Sequence, residues 1–187
     1  MIHWVKQGAI EKATKVLGEN GVIVYPTDTL YGFGGNANSA EAIQKINTIK
    51  GRTSPMSVLA PNKKIALAWI DIPEEKHGLI INCLREKTTV IVPIKNGIVH
   101  PLILGDGNSL GIRIPNHPFC KALSQSIPNP IITTSVNRTG KAPMCSPEKI
   151  EMEFANDVDL IIEDGELSAS ASRIYIYKKG ELNILRP

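Results

Sequence analysis

Ile10, Ala13, Val16 and Leu17 recur at helical spacing over Ala9–Leu17, and Gly18 and Gly21 stop that helix. The run "VIVY" (22–25) then reads as a short buried strand. A polar turn and a glycine cluster follow, "PTDTLYGFGG" (26–35). Asn38, with Glu41 three residues on, matches a capping box that opens a helix to about Lys50. "MSVLA" (56–60) is strand-like, and helical patterns cover Lys63–Trp69 and Pro73–Arg85. "TTVIVP" (88–93) and "SLGIRIP" (109–115) are β-rich, "HPFCKALSQSI" (117–127) is helical and "PIITTS" (130–135) is a strand. "SPEKIEMEF" (146–154) opens with serine then proline, a favourable helix start. "VDLIIEDG" (158–165) precedes a closing pair, "RIYIYKK" and "GELNILRP", whose shared glycine predicts a hairpin.

Strands alternating with helices and ending in a hairpin predict an α/β fold with an open, mixed sheet. Its 187 residues form one core, so a single domain over residues 1–187 is expected. Ligands of such sheets sit beyond the strand ends, in a crevice formed by loops. Four polar segments fall at loops of this kind: "PTDTLYGFGG", "KGRTSP", "RIPNH" and "TTSVNRTG". Their convergence on one crevice is an expectation for the structure to test.

Composition narrows the function classes. A net charge of +3 and a pI near 8.7 admit an anionic ligand but fall short of a dedicated nucleic-acid binder. No apolar run approaches the roughly 20 residues of a membrane span. The N-terminus has no signal-like apolar core, and three scattered cysteines (Cys83, Cys120, Cys145) include no CxxC pair. A cytoplasmic protein without a zinc site or disulfides is the reading. No GxxxxGK[ST] loop, GxSxG elbow or HExxH spacing occurs. Gly32, Gly34 and Ala37 fit a loose GxGxxA. However, Pro26 delays that turn, and no acidic residue ends the next strand, which argues against a dinucleotide site.

Each remaining candidate has two readings. Lys50 and Arg52 flank Gly51 at a helix end, where cations suit the helix dipole; they equally suit a clamp on a phosphate chain. Ser135 and Asn137 would share a side of an extended chain and reach a ligand's polar edge, or they are turn formers. Arg113 lies inside an apolar strand, where it needs an anionic ligand or a structural carboxylate. Arg186 reads as a solvated tail residue, and Tyr175 and Tyr177 as packing residues.

Together, "PTDTLYGFG", "KGR", "RIPNHP" and "SVN", in this order, resemble the YrdC-like family of threonylcarbamoyl-AMP synthases. The similarity runs from about residue 8 to Pro187. It implies an open twisted α/β fold with a basic concave face. The implied enzyme is a nucleotidyltransferase that joins L-threonine, bicarbonate and ATP, with Mg²⁺, into threonylcarbamoyl-adenylate and pyrophosphate. That product is the activated intermediate for the t6A modification at position 37 of tRNA. Carried across by motif, Lys50 and Arg52 would hold the phosphates and act catalytically. Arg113, Ser135, Asn137 and Arg186 would complete the ATP site, and Thr27, His117 and Ser172 would serve threonine. The hydroxyls of the entrance turn would meet the amino acid, with glycines letting it approach the backbone. No side chain is expected to ligate the metal. Downstream threonylcarbamoyl-transfer proteins, and tRNA or double-stranded RNA at the basic face, are the implied partners.

The chain departs from the family pattern in three places. Only "TS" (53–54) joins Arg52 to "PMSVL", "REKTT" (85–89) replaces "PGPxT", and no histidine follows the "MSVLA" strand. The form implied is the short, single-domain one. Two other readings stand beside it: an RNA-binding module, and a paralogue that binds nucleotide without threonine-dependent activity. Lys50 and Arg52 are expected to be exposed at the crevice and replaceable without unfolding.

Overall fold

The computed structural model describes residues 1–53 and 55–187; Ser54, in the "KGRTSP" segment and the short 53–54 connection, lies outside the described residues. In chain order the elements begin with β1 (Ile2–His3), α1 (Ala9–Gly18), β2 (Ile23–Tyr25), β3 (Gly32–Gly34), α2 (Ala40–Lys50) and β4 (Ser57–Leu59). There follow α3 (Lys63–Trp69), a 3₁₀ turn (Glu74–Lys76), α4 (His77–Cys83), β5 (Thr88–Pro93) and β6 (Ser109–Arg113). Then come α5 (Pro118–Ser126), β7 (Ile131–Ser135), α6 (Pro147–Phe154), β8 (Leu160–Glu163), β9 (Arg173–Lys178) and β10 (Glu181–Arg186).

Ten strands form one sheet in the order β1-β8-β2-β3-β7-β4-β6-β5-β9-β10. Pairs such as β4–β6 and β5–β9 are parallel, while β2–β3, β4–β7 and β9–β10 are antiparallel, so the sheet is mixed. The expected closing hairpin is present, and Tyr175 and Tyr177 pack against the core as expected.

Three local expectations change. The glycine cluster is itself a strand: Gly32-Phe33-Gly34 pairs with β2 and β7, making "PTDTLY" the loop of a hairpin. Glycine is required at 34 because a Cβ there would sit 2.7 Å from the Tyr25 ring, so that residue serves ring packing, and only Gly32 of the cluster lines the cleft described below. The N-cap of α2 is Ser39, whose hydroxyl accepts from Ala42 N at 3.2 Å, while Asn38 turns its own N–H to Asn36 Oδ1. The Pro73–Arg85 pattern splits into the 3₁₀ turn and α4; neither has a side-chain cap, and Gly78 weakens the run.

Strand alternation decides where the open face lies. Val58 stands opposite Ile112 and Ile132, and Val90 opposite Ile112. These residues belong to a core with Ile43, Ile46 and Ile49 of α2, Ile80 of α4 and Phe154 of α6. One residue out of phase, Ser57 stands opposite Gly111 and Thr133, and Gly32 opposite Ser135. The second face therefore carries glycines and hydroxyls across four neighbouring strands. At one end Ala13 and Leu17 of α1 and Phe119 and Leu123 of α5 cover it, over Tyr25, Leu59 and Ile131. The rest stays open.

Candidate functional site

That open face is the floor of a cleft of about 330 Å³, lined by Thr27, Thr29, Gly32, Arg52, Ser57, Thr89, Arg113, Thr133, Ser135, Ser172 and Arg186 among others. Segments from across the chain meet there, as expected. The floor is the face of the sheet rather than only the region beyond the strand ends. Of the "RIPNH" segment only Arg113 lines the cleft.

Three guanidiniums border it. Arg52 is exposed, and its backbone N–H caps Asn47 O at 3.1 Å after Gly51 (φ 67°) turns the chain out of α2. Arg113 Nη2 donates to Asp28 Oδ1 (2.9 Å) and Thr29 Oγ1 (3.0 Å), whereas its Nε is buried and meets no acceptor among the described residues. Of the two readings of an arginine inside an apolar strand, the structural carboxylate is present as Asp28, and Arg113 also lines the cleft. Arg186 is anchored by its Nε (2.9 Å) and Nη2 (2.6 Å) on Ser172 O, and Nη2 also reaches Ser172 Oγ at 3.2 Å. It is a bound wall residue, not a solvated tail. Burial, then the nearby Arg113 charge, pulls the Arg186 pKa down.

The two signature motifs divide. Lys50, expected at the crevice surface, is only 2% exposed. Its ammonium donates to Ser135 O (2.6 Å), Asn137 O (3.0 Å) and Asn137 Oδ1 (3.1 Å), over the Phe33 ring. Three donors meet three acceptors, so in this structure the Lys50 ammonium ties α2 to residues 135 and 137. Burial, then the nearby Arg52 charge, lowers its pKa to about 8. Asn137 is equally committed: Oδ1 also accepts from Ser135 Oγ (2.6 Å), and Nδ2 donates to Arg138 O (3.0 Å) and Lys141 O (2.8 Å). Ser135 and Asn137 do share a side, as the spacing implied, but they bond to each other. Ser135 alone of that pair lines the cleft.

Thr27 lies in the cleft wall at 3% exposure, but its hydroxyl donates to Leu30 O at 2.7 Å. The 3.0 Å hydroxyl pair must then run from Thr29 to Thr27, giving one donor direction: Arg113 to Thr29 to Thr27 to Leu30. Thr27 thus sets the turn. His117 stands outside the lining. Its Nδ1 accepts from Phe119 N (3.1 Å) as N-cap of α5, which leaves Nε2 to donate to Asp164 Oδ2 (3.1 Å). The ring caps α5 and does not line the cleft, so the expected threonine role has no geometric support here. Ser172 does line the cleft, 2.9 Å from the Thr89 hydroxyl.

Thr29 belongs to the entrance turn whose hydroxyls were expected at the ligand, whereas sequence reasoning did not single out Asp28, Ser57, Thr89 and Thr133. The last three are hydroxyls on strands β4, β5 and β7. Thr89 shows that the "REKTT" segment still supplies the cleft. A second, more apolar hollow of about 480 Å³ adjoins it at Pro55, Met56 and Ser57 and runs along Ile91, Pro93, Ile176 and Tyr177. Among the described residues no group of three or more His, Cys, Asp or Glu converges as metal ligands, the cysteines are free, and no helix is long and apolar enough to cross a membrane.

Residues 15–187 match the Sua5/YciO/YrdC family model, described as "Telomere recombination". The threonylcarbamoyl-AMP synthase of Bacillus subtilis (strain 168) is 34% identical over 153 residues, covering 80% of this chain and 43% of that protein. The enzyme of the same name from Haemophilus influenzae (strain ATCC 51907 / DSM 11121 / KW20 / Rd) is 28% identical over 158 residues, 82% of this chain and 86% of that protein. The chain thus spans less than half the length of the first relative and most of the second. The crystal structure of P. abyssi Sua5 complexed with L-threonine superposes with a TM-score of 0.87 at 25% identity, over 97% of this chain and 54% of that one.

Proposed function

The chain belongs to the Sua5/YciO/YrdC family, and we propose that it is a threonylcarbamoyl-AMP synthase. The threonine amine and bicarbonate give a carbamate with loss of water. A carbamate oxygen then attacks the α-phosphorus of ATP, and pyrophosphate leaves with the electron pair of the broken P–O bond. The observation that carries this reading is the meeting of Arg52, Arg113 and Arg186 at one hydroxyl-floored cleft. Both the phosphorane-like transition state and the departing pyrophosphate are anionic, so fixed cations in a partly dry site lower the barrier without a protein nucleophile.

Roles follow from which donors remain free. Arg52 and Arg186 border the side that suits the triphosphate. Arg113, which lines the same cleft with its Nη2 held by Asp28 and Thr29, suits the phosphates as well, and Ser57, Thr89, Thr133 and Ser135 offer hydroxyls beneath. The adjoining apolar hollow suits the adenine ring; cleft and hollow each fall within the roughly 300–1,000 Å³ of small-molecule sites. Mg²⁺ would enter on the triphosphate and neutralise part of its charge, since Asp28 is already bonded to Arg113. The product would pass to transfer proteins acting on tRNA in the cytoplasm. Arg173, Lys178 and Lys179, all exposed on the closing hairpin, are the natural place for an RNA contact.

The test is pyrophosphate release from ATP, bicarbonate and Mg²⁺ with and without L-threonine. Threonine-dependent release is expected. ATP binding without such release would replace this reading with the paralogue, and salt-sensitive RNA binding without ATP binding would replace it with the RNA-binding module.

A further inference from the structure

We propose that Asp28 is a positioning residue of this reaction, holding the Arg113 guanidinium at a fixed angle to the cleft while tying two other loops to the entrance turn. The inference rests on reading the cleft as an anion site for the proposed reaction. The Asp28 side chain is only 4% exposed, and Asp28 is not among the residues that line the cleft. Its two oxygens divide their work. Oδ1 accepts from Arg113 Nη2 at 2.9 Å. Oδ2 accepts from the backbone N–H of Lys87 (2.7 Å) and of Asn116 (3.2 Å). One carboxylate thereby joins the entrance turn, the segment before β5 and the segment after β6. Asn116 Nδ2 adds a bond to Glu86 Oε2 at 3.2 Å, closing the ring between those two segments.

This arrangement orients Arg113 in the cleft wall. With Nη2 fixed by Asp28 and Thr29, the planar guanidinium has no freedom to swing, and its remaining donors keep one direction. The carboxylate carries an electrostatic disadvantage, because a negative charge beside Arg113 weakens the cleft's pull on any anion. A purely electrostatic role and a positioning role therefore predict opposite signs on neutralisation. If charge alone mattered, Asp28→Asn would bind anions more tightly. If orientation matters, the same substitution loosens them, because an amide NH₂ must oppose either the guanidinium or the two backbone N–H groups.

Calorimetric titration with inorganic pyrophosphate, alongside turnover at saturating ATP and threonine, decides between them. For Asp28→Asn we expect pyrophosphate affinity about tenfold weaker and kcat about 10²-fold lower, the scale of a misplaced catalytic group. Asp28→Glu keeps the charge and displaces it by one methylene, so it isolates geometry; about threefold to tenfold weaker binding is expected, the discrimination of a displaced hydrogen bond. Circular dichroism establishes folding, and if Asp28→Asn does not fold, the glutamate variant decides alone. Unchanged or tighter pyrophosphate binding in a folded Asp28→Asn, or unchanged binding in Asp28→Glu, overturns the inference. A wild-type protein that binds no pyrophosphate and shows no threonine-dependent release instead overturns the functional reading, and this inference with it.

Discussion

The end of α2 and the rim of the cleft are built from the same kinds of residue, and they behave in opposite ways. Around Lys50 every donor has its acceptor. The ammonium holds three oxygens of residues 135 and 137, Thr139 N caps Lys50 O at 2.9 Å, and Arg138 Nη1 caps Ile49 O at 2.9 Å. Around the cleft, Arg52 is exposed, and among the described residues the bonds to Arg113 and Arg186 leave the Nη1 of each unengaged. A cation whose protons are all engaged by the fold is a support. A cation left over is available to a ligand. A single residue, Gly51, separates Lys50 from Arg52, and its αL turn sends them to different sides of that divide.

Replacing Arg52 by alanine should produce the largest loss, about 10³-fold in turnover, since an electrostatic contact to the reacting phosphates disappears. Unfolding midpoints should stay within about 0.5 kcal/mol of the parent, because the side chain is exposed. Parent-like pyrophosphate release in this variant would erase the contrast between rim and support.

Lys50→Met should reverse that ratio. Leaving three oxygens of residues 135 and 137 without their donor should cost about 3 kcal/mol in urea unfolding. The pH dependence sharpens this. Burial lowers the Lys50 pKa to about 8 from 10.5, so between those values the unfolded chain binds more protons than the folded one. Stability contributed at this position therefore rises with pH across about 8 to 10.5 and is flat outside it. Unfolding measured from pH 7.5 to 10.5 should show the parent gaining on Lys50→Met. Parallel curves would mean that Lys50 is not desolvated in solution.

The smallest effect belongs to His117. Asparagine can also cap α5, so His117→Asn should leave turnover unchanged and stability within about 0.5 kcal/mol, whereas His117→Ala should lose about 1 kcal/mol. A raised KM for threonine in His117→Asn would return the histidine to the substrate site and blur the division drawn here.

Much of the architecture was legible because it follows from local rules. The period of 3.6 over Ala9–Leu17 and the period of 2 in "TTVIVP" and "PIITTS" mark elements that the structure contains, and serine followed by proline does open α6. Even the floor of the cleft was written in the strands, since Ser57, Thr89, Thr133 and Ser135 alternate with residues that must be buried. The glycine strand β3 escaped notice because Gly-Phe-Gly has little strand preference of its own; pairing with β2 across the "PTDTLY" loop and with β7 across the fold makes it a strand. Asp28 escaped because its three donors belong to residues 87, 113 and 116.

By itself, the chain determined which segments are helix or strand, that the sheet is mixed and open, and which polar segments would compete for a ligand. The tertiary structure decided which polar atoms are satisfied internally and which are left over. That distinction is long-range: a lysine ammonium is a ligand group or a buried tie according to whether backbone carbonyls some eighty-five residues away reach it first.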